Sequence, residues 1–109
     1  NFKTNRVIGM NSEVIYEVGT FEKHEEGFHA FFRCLSKERA LLVLNVAREI
    51  KSKVPEYIHT QTDDEFAQTV KLCEQLNKEF FEKTGKKFDI TMYSGDIYTI
   101  EMREVQLDN

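Results

Sequence analysis

The segment that begins at Ser36 constrains the fold most, because it is apolar around most of a helix. Ser36 is a favourable N-cap residue, and Pro55 ends the helical pattern shortly after Lys53. A single helical stripe contains the apolar residues Ala40, Val43, Leu44, Ala47, Ile50 and Val54. Three further residues widen this stripe to most of the circumference: Leu41, Leu42 and Val46. A helix of this kind is buried on more than one side, which in a small protein predicts a second subunit.

A second, amphipathic helix follows, and its ends are marked by local signals. Thr62 and Glu65 match a capping box, and Gly85 suits the position after the last helical residue. The flanking parts of the chain show β-type patterns over residues 6–8, 14–18, 27–35, 87–93 and 97–105. The order β-β-(β)-α-α-β-β predicts one α+β domain over residues 1–109. We expect an antiparallel sheet from the two terminal β-blocks, with the helix pair packed on one face.

Three finer expectations concern the strands. The segment 27–35 has bulky apolar residues at both even and odd positions, which point to opposite faces of a strand. This pattern predicts burial on both faces or a central position in the sheet. A three-residue loop at 94–96 would pair Phe88 with Met102 and place the apolar residues of the last hairpin on one face. Alternation within the strand 14–18 places Glu17 on the solvent face.

Charge, hydropathy and cysteine usage exclude several classes of protein. Fifteen basic and nineteen acidic residues give a net charge of −4, so the basic excess typical of nucleic-acid polymer binding is missing. The longest apolar run, from Ala40 to Leu44, is far too short to cross a bilayer. Cys34 and Cys73 lack metal-ligand spacing, and we expect both to be reduced core residues. Without a secretory leader pattern, the sequence predicts a cytoplasmic protein.

No catalytic, cofactor or metal site is predicted. His24 and His29 are five residues apart, whereas two ligands on one helical face need a spacing of four. A turn that brings these histidines and Glu26 around a metal stays as a minor alternative. Cys34 precedes a helix start that carries Arg39, but the intervening loop lacks the glycine that would let the backbone surround an anion.

Two groups of residues are candidates for binding. Basic and hydroxyl side chains surround the start of the first helix, where free amides and the helix dipole favour an anion: Arg33, Ser36, Lys37 and Arg39. The alternative is that Ser36 simply caps the helix while the basic side chains are solvated or paired. Five aromatic residues are expected in the core: Phe28, Phe32, Phe66, Phe80 and Phe88. Surplus aromatic residues suit an interface or a stacking surface: Phe31, Phe81, Tyr93 and Tyr98.

These patterns favour a small non-enzymatic binding or regulatory protein. We expect it to be a homodimer or larger homo-oligomer that sequesters or blocks a protein partner, with Leu41, Leu42 and Val46 in the interface. One alternative is a binder of an anionic small molecule such as a nucleotide, held by the basic helix start and stacked on an aromatic side chain. A small metal-dependent enzyme is the third hypothesis.

Overall fold

The computed structural model describes residues 13–23, 25–55, 62–88 and 97–107. The elements in these ranges are β1 (Glu13–Glu22), β2 (Glu25–Cys34), α1 (Lys37–Ser52), α2 (Asp63–Thr84) and β3 (Ile97–Leu107). The strands form one antiparallel sheet in the order β2-β1-β3, and α1 contacts all three of them. This arrangement confirms the predicted α+β class with helices packed on the sheet. The strand expected at 6–8 lies outside the described residues, as does the part of the strand expected at 87–93 that follows Phe88.

β1 is longer than its sequence pattern indicates, because it pairs with neighbours on both sides as far as Glu22. Gly19 makes this continuation possible. A Cβ atom at this position would lie 2.6 Å from the carbonyl oxygen of His29 and 2.8 Å from the Cα of Ala30. The missing side chain lets β2 approach closely, so the glycine marks a close backbone contact within the sheet and not its end.

Among the described strands, β2 lies at an edge and pairs with β1, so these strands do not give the segment 27–35 the central position that was one of its two expected explanations. The apolar residues at both even and odd positions of this strand have another cause. The register shifts between Val18, opposite Phe32, and Gly19, opposite Ala30, which leaves Phe31 as a bulged residue. Phe31 stacks on Phe88 with ring centroids 4.5 Å apart, and Phe32 is buried beside it. The bulge thus directs two consecutive aromatic residues to the core.

α1 begins and ends where its sequence indicates. The Ser36 hydroxyl accepts a hydrogen bond of 3.1 Å from the backbone N–H of Arg39, and the helix ends at Ser52. Its buried residues are Ala40, Val43, Leu44, Val46, Ala47 and Ile50. The expected stripe therefore faces the core, where it packs against the sheet residues Val18, Phe32 and Ile100.

α2 has both predicted caps, but only its second half is buried. The Thr62 backbone N–H donates to Glu65 at 2.7 Å, the Glu65 N–H donates to the Thr62 hydroxyl at 3.1 Å, and Gly85 has a left-handed φ of 74°. The buried residues are Cys73, Leu76, Phe80 and Thr84. The core position expected for Phe66 is wrong, since 43% of this residue is exposed. Ion pairs join Glu49 of α1 and its C-cap residue Lys53 to Lys83 and Glu79 in the C-terminal half of α2, where the helix is buried.

β3 shows the predicted alternation. Ile100 is 2% exposed and Met102 packs partly against the core, whereas Thr99 and Arg103 are exposed. The pairing proposed between Phe88 and Met102 is not among the described contacts, and the loop 94–96 lies outside the described residues. None of the described helices has the length and apolar character needed to span a membrane.

Candidate functional site

A buried carboxylate held by two arginines lies on the sheet face opposite the helices. In the register of the sheet, Glu17 on the central strand stands beside Arg33 on β2 and Arg103 on β3. Arg33 Nε donates to Glu17 Oε2 at 2.5 Å, and Arg103 Nε donates to Glu17 Oε1 at 2.7 Å. Because side chains alternate between the faces of a strand, these residues point away from core residues such as Val18. We call this group of Glu17, Arg33 and Arg103 the arginine clamp.

The burial of Glu17 corrects the expectation that it faces solvent. The residue is only 5% exposed, because the two arginine side chains and the neighbouring strands cover it. The hydrogen bond from Arg103 is the largest cause that lowers the pKa of the Glu17 carboxyl, and Arg33 adds to it, against the opposite effect of burial. Glu17 therefore stays ionised at neutral pH, with both oxygens occupied.

An aromatic pair adjoins the arginine clamp. The guanidinium carbon of Arg103 lies 4.3 Å from the ring centroid of Phe28, and the Phe28 ring packs edge-on against Phe21 at 5.5 Å. The core position expected for Phe28 is therefore wrong: its ring is half-buried and covers Gly19 on the sheet face opposite the helices, which we call the open face. The absence of a side chain at Gly19 gives the ring its place, and the ring in turn supports the guanidinium of Arg103.

The lowered pKa of Glu17 leads to a pH-dependent stability. Its contribution is fully present above the ordinary carboxyl pKa of 4.5 and is lost as the pH falls through the lower pKa of the folded state. We expect Glu17→Gln to reduce the free energy of unfolding at neutral pH, and the difference from wild type to vanish in acid. Urea unfolding at a series of pH values measures this difference. Glu104→Gln, which removes an exposed carboxylate from β3, is the control, and a difference for Glu17→Gln that is constant with pH would contradict the expectation.

The four residues expected to form an anion site do not converge. Ser36 caps α1, which is the role expected for it if no anion binds there, and Lys37 is exposed beside it. The Arg39 guanidinium donates to the Thr84 carbonyl at the end of α2. Arg33 belongs to the arginine clamp on the other face of the sheet. Anion binding at the start of α1 stays a prediction, with two of its basic groups already bound to protein atoms.

The residues expected in an interface differ in their exposure. Leu41 and Leu42 are 38% and 43% exposed on α1, whereas Val46 is buried in the core. Phe31 packs on the core through its stacking on Phe88.

Among the surplus aromatic residues, Phe81 is 53% exposed and lines an open groove of about 320 Å³. Phe88, Lys78 and Lys87 also line this groove. Tyr93 and the side chain of Tyr98 lie outside the described residues.

The residues of the metal alternative are only partly described. His29 Nε2 lies 3.5 Å from a carboxylate oxygen of Glu25, and Glu26 is exposed, whereas His24 lies outside the described residues. Within the described ranges, no three His, Cys, Asp or Glu side chains come together as a group that could hold a metal.

Both cysteines are free thiols, as expected. Cys73 is buried in the core, and burial raises the pKa of its thiol. Cys34 is half-buried, and its thiol donates to the Ser36 carbonyl with sulfur and oxygen 3.1 Å apart. The core position expected for the cysteines therefore holds fully for Cys73 and partly for Cys34.

Comparison of the chain with protein-family models, with curated proteins and with solved structures finds no match.

Proposed function

We propose that the protein is a non-enzymatic binding protein that forms a homodimer through the outer face of α1. This outer face comprises the exposed residues of the helix: Lys37, Glu38, Leu41, Leu42, Asn45, Arg48, Glu49 and Ser52. The observation that carries the proposal is the exposure of two adjacent leucines, 38% for Leu41 and 43% for Leu42, on a helix whose opposite side fills the core. Burial of this apolar surface against a second copy is favourable.

The charges on the outer face of α1 are compatible with a second copy as the occupant. A basic and an acidic residue stand at each end, Lys37 with Glu38 at the start and Arg48 with Glu49 three turns later. In an antiparallel pair of α1 helices, the start of one helix lies beside the end of the other. Arg48 and Glu49 are paired with Glu101 and Lys83 of the same chain, and neither end of the face has a net charge, so charge does not oppose the approach of a second copy.

The size of a stable interface sets how far the contact extends. Specific protein interfaces bury about 800 Å² on each partner, which is more than two half-exposed leucines supply. In this proposal the leucines form the centre of the interface and the charged ends of α1 form its rim. Sequestration or blocking of another protein by this dimer stays a prediction of the sequence.

Light scattering across a concentration series tests the dimer. We expect the mass of the wild-type protein to rise toward twice that of the single chain, and Leu42→Lys to remain at the single-chain mass, because a charge at the centre of an interface is desolvated at high cost. Leu107→Lys is the matched control, since Leu107 is 42% exposed but lies at the end of β3. A wild-type protein that stays a monomer at every concentration would refute the proposal.

A further inference from the structure

We propose that Arg33 and Arg103 form a binding site for the phosphate group of a small molecule on the open face of the sheet. The site is independent of the outer face of α1, because it lies on the opposite face of the sheet from the helices. Two guanidiniums converge there on one carboxylate, Glu17, from the strands on either side of it. Arginine is well suited to phosphate, because its planar fork of donors matches two oxygens at once.

Glu17 positions the two arginines and leaves them able to bind. Its carboxylate takes a hydrogen bond from the Nε of each guanidinium, at 2.5 and 2.7 Å, which fixes the orientation of both side chains. A guanidinium has five N–H donors, so contact through Nε does not exhaust its capacity. The side chains of Arg33 and Arg103 are 60% and 52% exposed, whereas that of Glu17 is 7% exposed. The donors thus reach solvent while the acid that orients them is buried.

The local charge also favours an anion. Two guanidiniums and one carboxylate leave one positive charge in excess at the arginine clamp. Glu101, two residues before Arg103 on β3, forms an ion pair of 2.8 Å with Arg48, which offsets its charge. The site is therefore net positive and already ordered. Phosphate binding does not incur the loss of conformational entropy that would accompany fixing two long side chains.

The neighbouring aromatic pair indicates what the phosphate is attached to. Phe28 lies under the Arg103 guanidinium, and Phe21 beside it is 39% exposed. An aromatic ring joined to the phosphate, as in a nucleoside monophosphate, can pack on Phe21 while its phosphate contacts the arginines. The nucleotide alternative considered from the sequence is thereby moved from the start of α1 to the open sheet face, and Arg33 is shared by both.

The test is a titration of the full chain with inorganic phosphate, followed by the ¹H–¹⁵N resonances of the arginine Nε–H groups. We expect saturable shifts of the Arg33 and Arg103 signals. A second titration with adenosine monophosphate distinguishes the sources of the phosphate. Tighter binding together with shifts of the Phe21 ring signals supports a nucleotide, and equal binding supports recognition of the phosphate group alone.

A matched pair of variants separates this site from a general effect of charge. Arg33→Gln removes one guanidinium of the arginine clamp, and we expect phosphate binding to weaken about tenfold, as for the loss of a charge-assisted hydrogen bond. Lys71→Gln removes an exposed basic side chain from α2, on the other side of the sheet from the arginine clamp, and we expect no change. Equal weakening in the two variants, or no saturable shift in the wild-type protein, would overturn the proposal. The wild-type titration decides even where Arg33→Gln does not fold.

Discussion

Replacement of Phe80 by alanine is expected to lower the free energy of unfolding by about 3–5 kcal/mol. Phe80 is fully buried in the second half of α2, and its ring lies 5.2 Å from that of Phe88. It belongs to the cluster of buried residues that joins the helices to the sheet in the described part of the chain. Alanine at this position leaves a cavity as well as losing the transfer free energy of the ring, and small domains have only about 5–15 kcal/mol in total.

The neighbouring residue provides the control for Phe80. Phe81 is of the same type and one position later on the same helix, but it is 53% exposed. We expect Phe81→Ala to change the free energy of unfolding by less than about 1 kcal/mol. Urea unfolding of both variants, followed by circular dichroism, gives the comparison, and Phe80→Leu provides a milder change at the buried position. Equal losses for Phe80→Ala and Phe81→Ala would contradict the described position of α2.

Gly19→Ala is expected to lower the free energy of unfolding by about 1–3 kcal/mol or more, through overpacking between β1 and β2. The added Cβ would lie 2.6 Å from the His29 carbonyl oxygen, 2.8 Å from the Ala30 Cα and 2.7 Å from the Phe28 ring. Two of these three contacts are with backbone atoms, which move only if the strands separate. Urea unfolding measures the loss, and hydrogen exchange of the β1 and β2 amides locates it.

Two further variants test whether the backbone is the cause at Gly19. Phe28→Ala removes the ring but leaves the carbonyl oxygen of His29, so we expect the double variant with Gly19→Ala to show no recovery of stability. Gly27→Ala is the contrasting case, because its Cβ would have no atom within 4 Å, while its φ of +88° is strained for alanine. That strain costs about 1–2 kcal/mol without disturbing the strand pairing. Recovery of stability in the double variant would show that the ring, not the backbone, limits the space.

The helices could be predicted closely because their signals are local. Ser36, Thr62 and Gly85 act on backbone groups within a few residues, and all three have the expected roles in the structure. The strands depend on partners far along the chain. The continuation of β1 beyond Gly19 requires β2 to lie against it, and the burial of Phe31 requires a bulge in the register. Neither feature can be inferred from the sequence of one strand alone.

The arginine clamp cannot be predicted from the sequence for the same physical reason. Alternation within β1 places Glu17 correctly on the face away from the core, but burial there comes from Arg33 and Arg103, which are 16 and 86 residues away in sequence. The sequence places Arg33 among candidate anion ligands at the helix start, whereas the strand pairing turns its side chain to the open face. The signal for such a site is an acidic residue on a central strand with an arginine at the paired position of each neighbouring strand. Recognising this signal requires the register of the sheet.

The contact between two copies of α1 can be observed most directly by isotope-filtered nuclear Overhauser spectroscopy. A sample that mixes labelled and unlabelled chains reports only distances between copies. We expect cross-peaks from the methyl groups of Leu41 and Leu42 in one copy to protons of α1 in the other, strongest at high protein concentration and lost in Leu42→Lys. The absence of such cross-peaks at concentrations where light scattering detects a dimer, or cross-peaks confined to β3 near Leu107, would contradict the account.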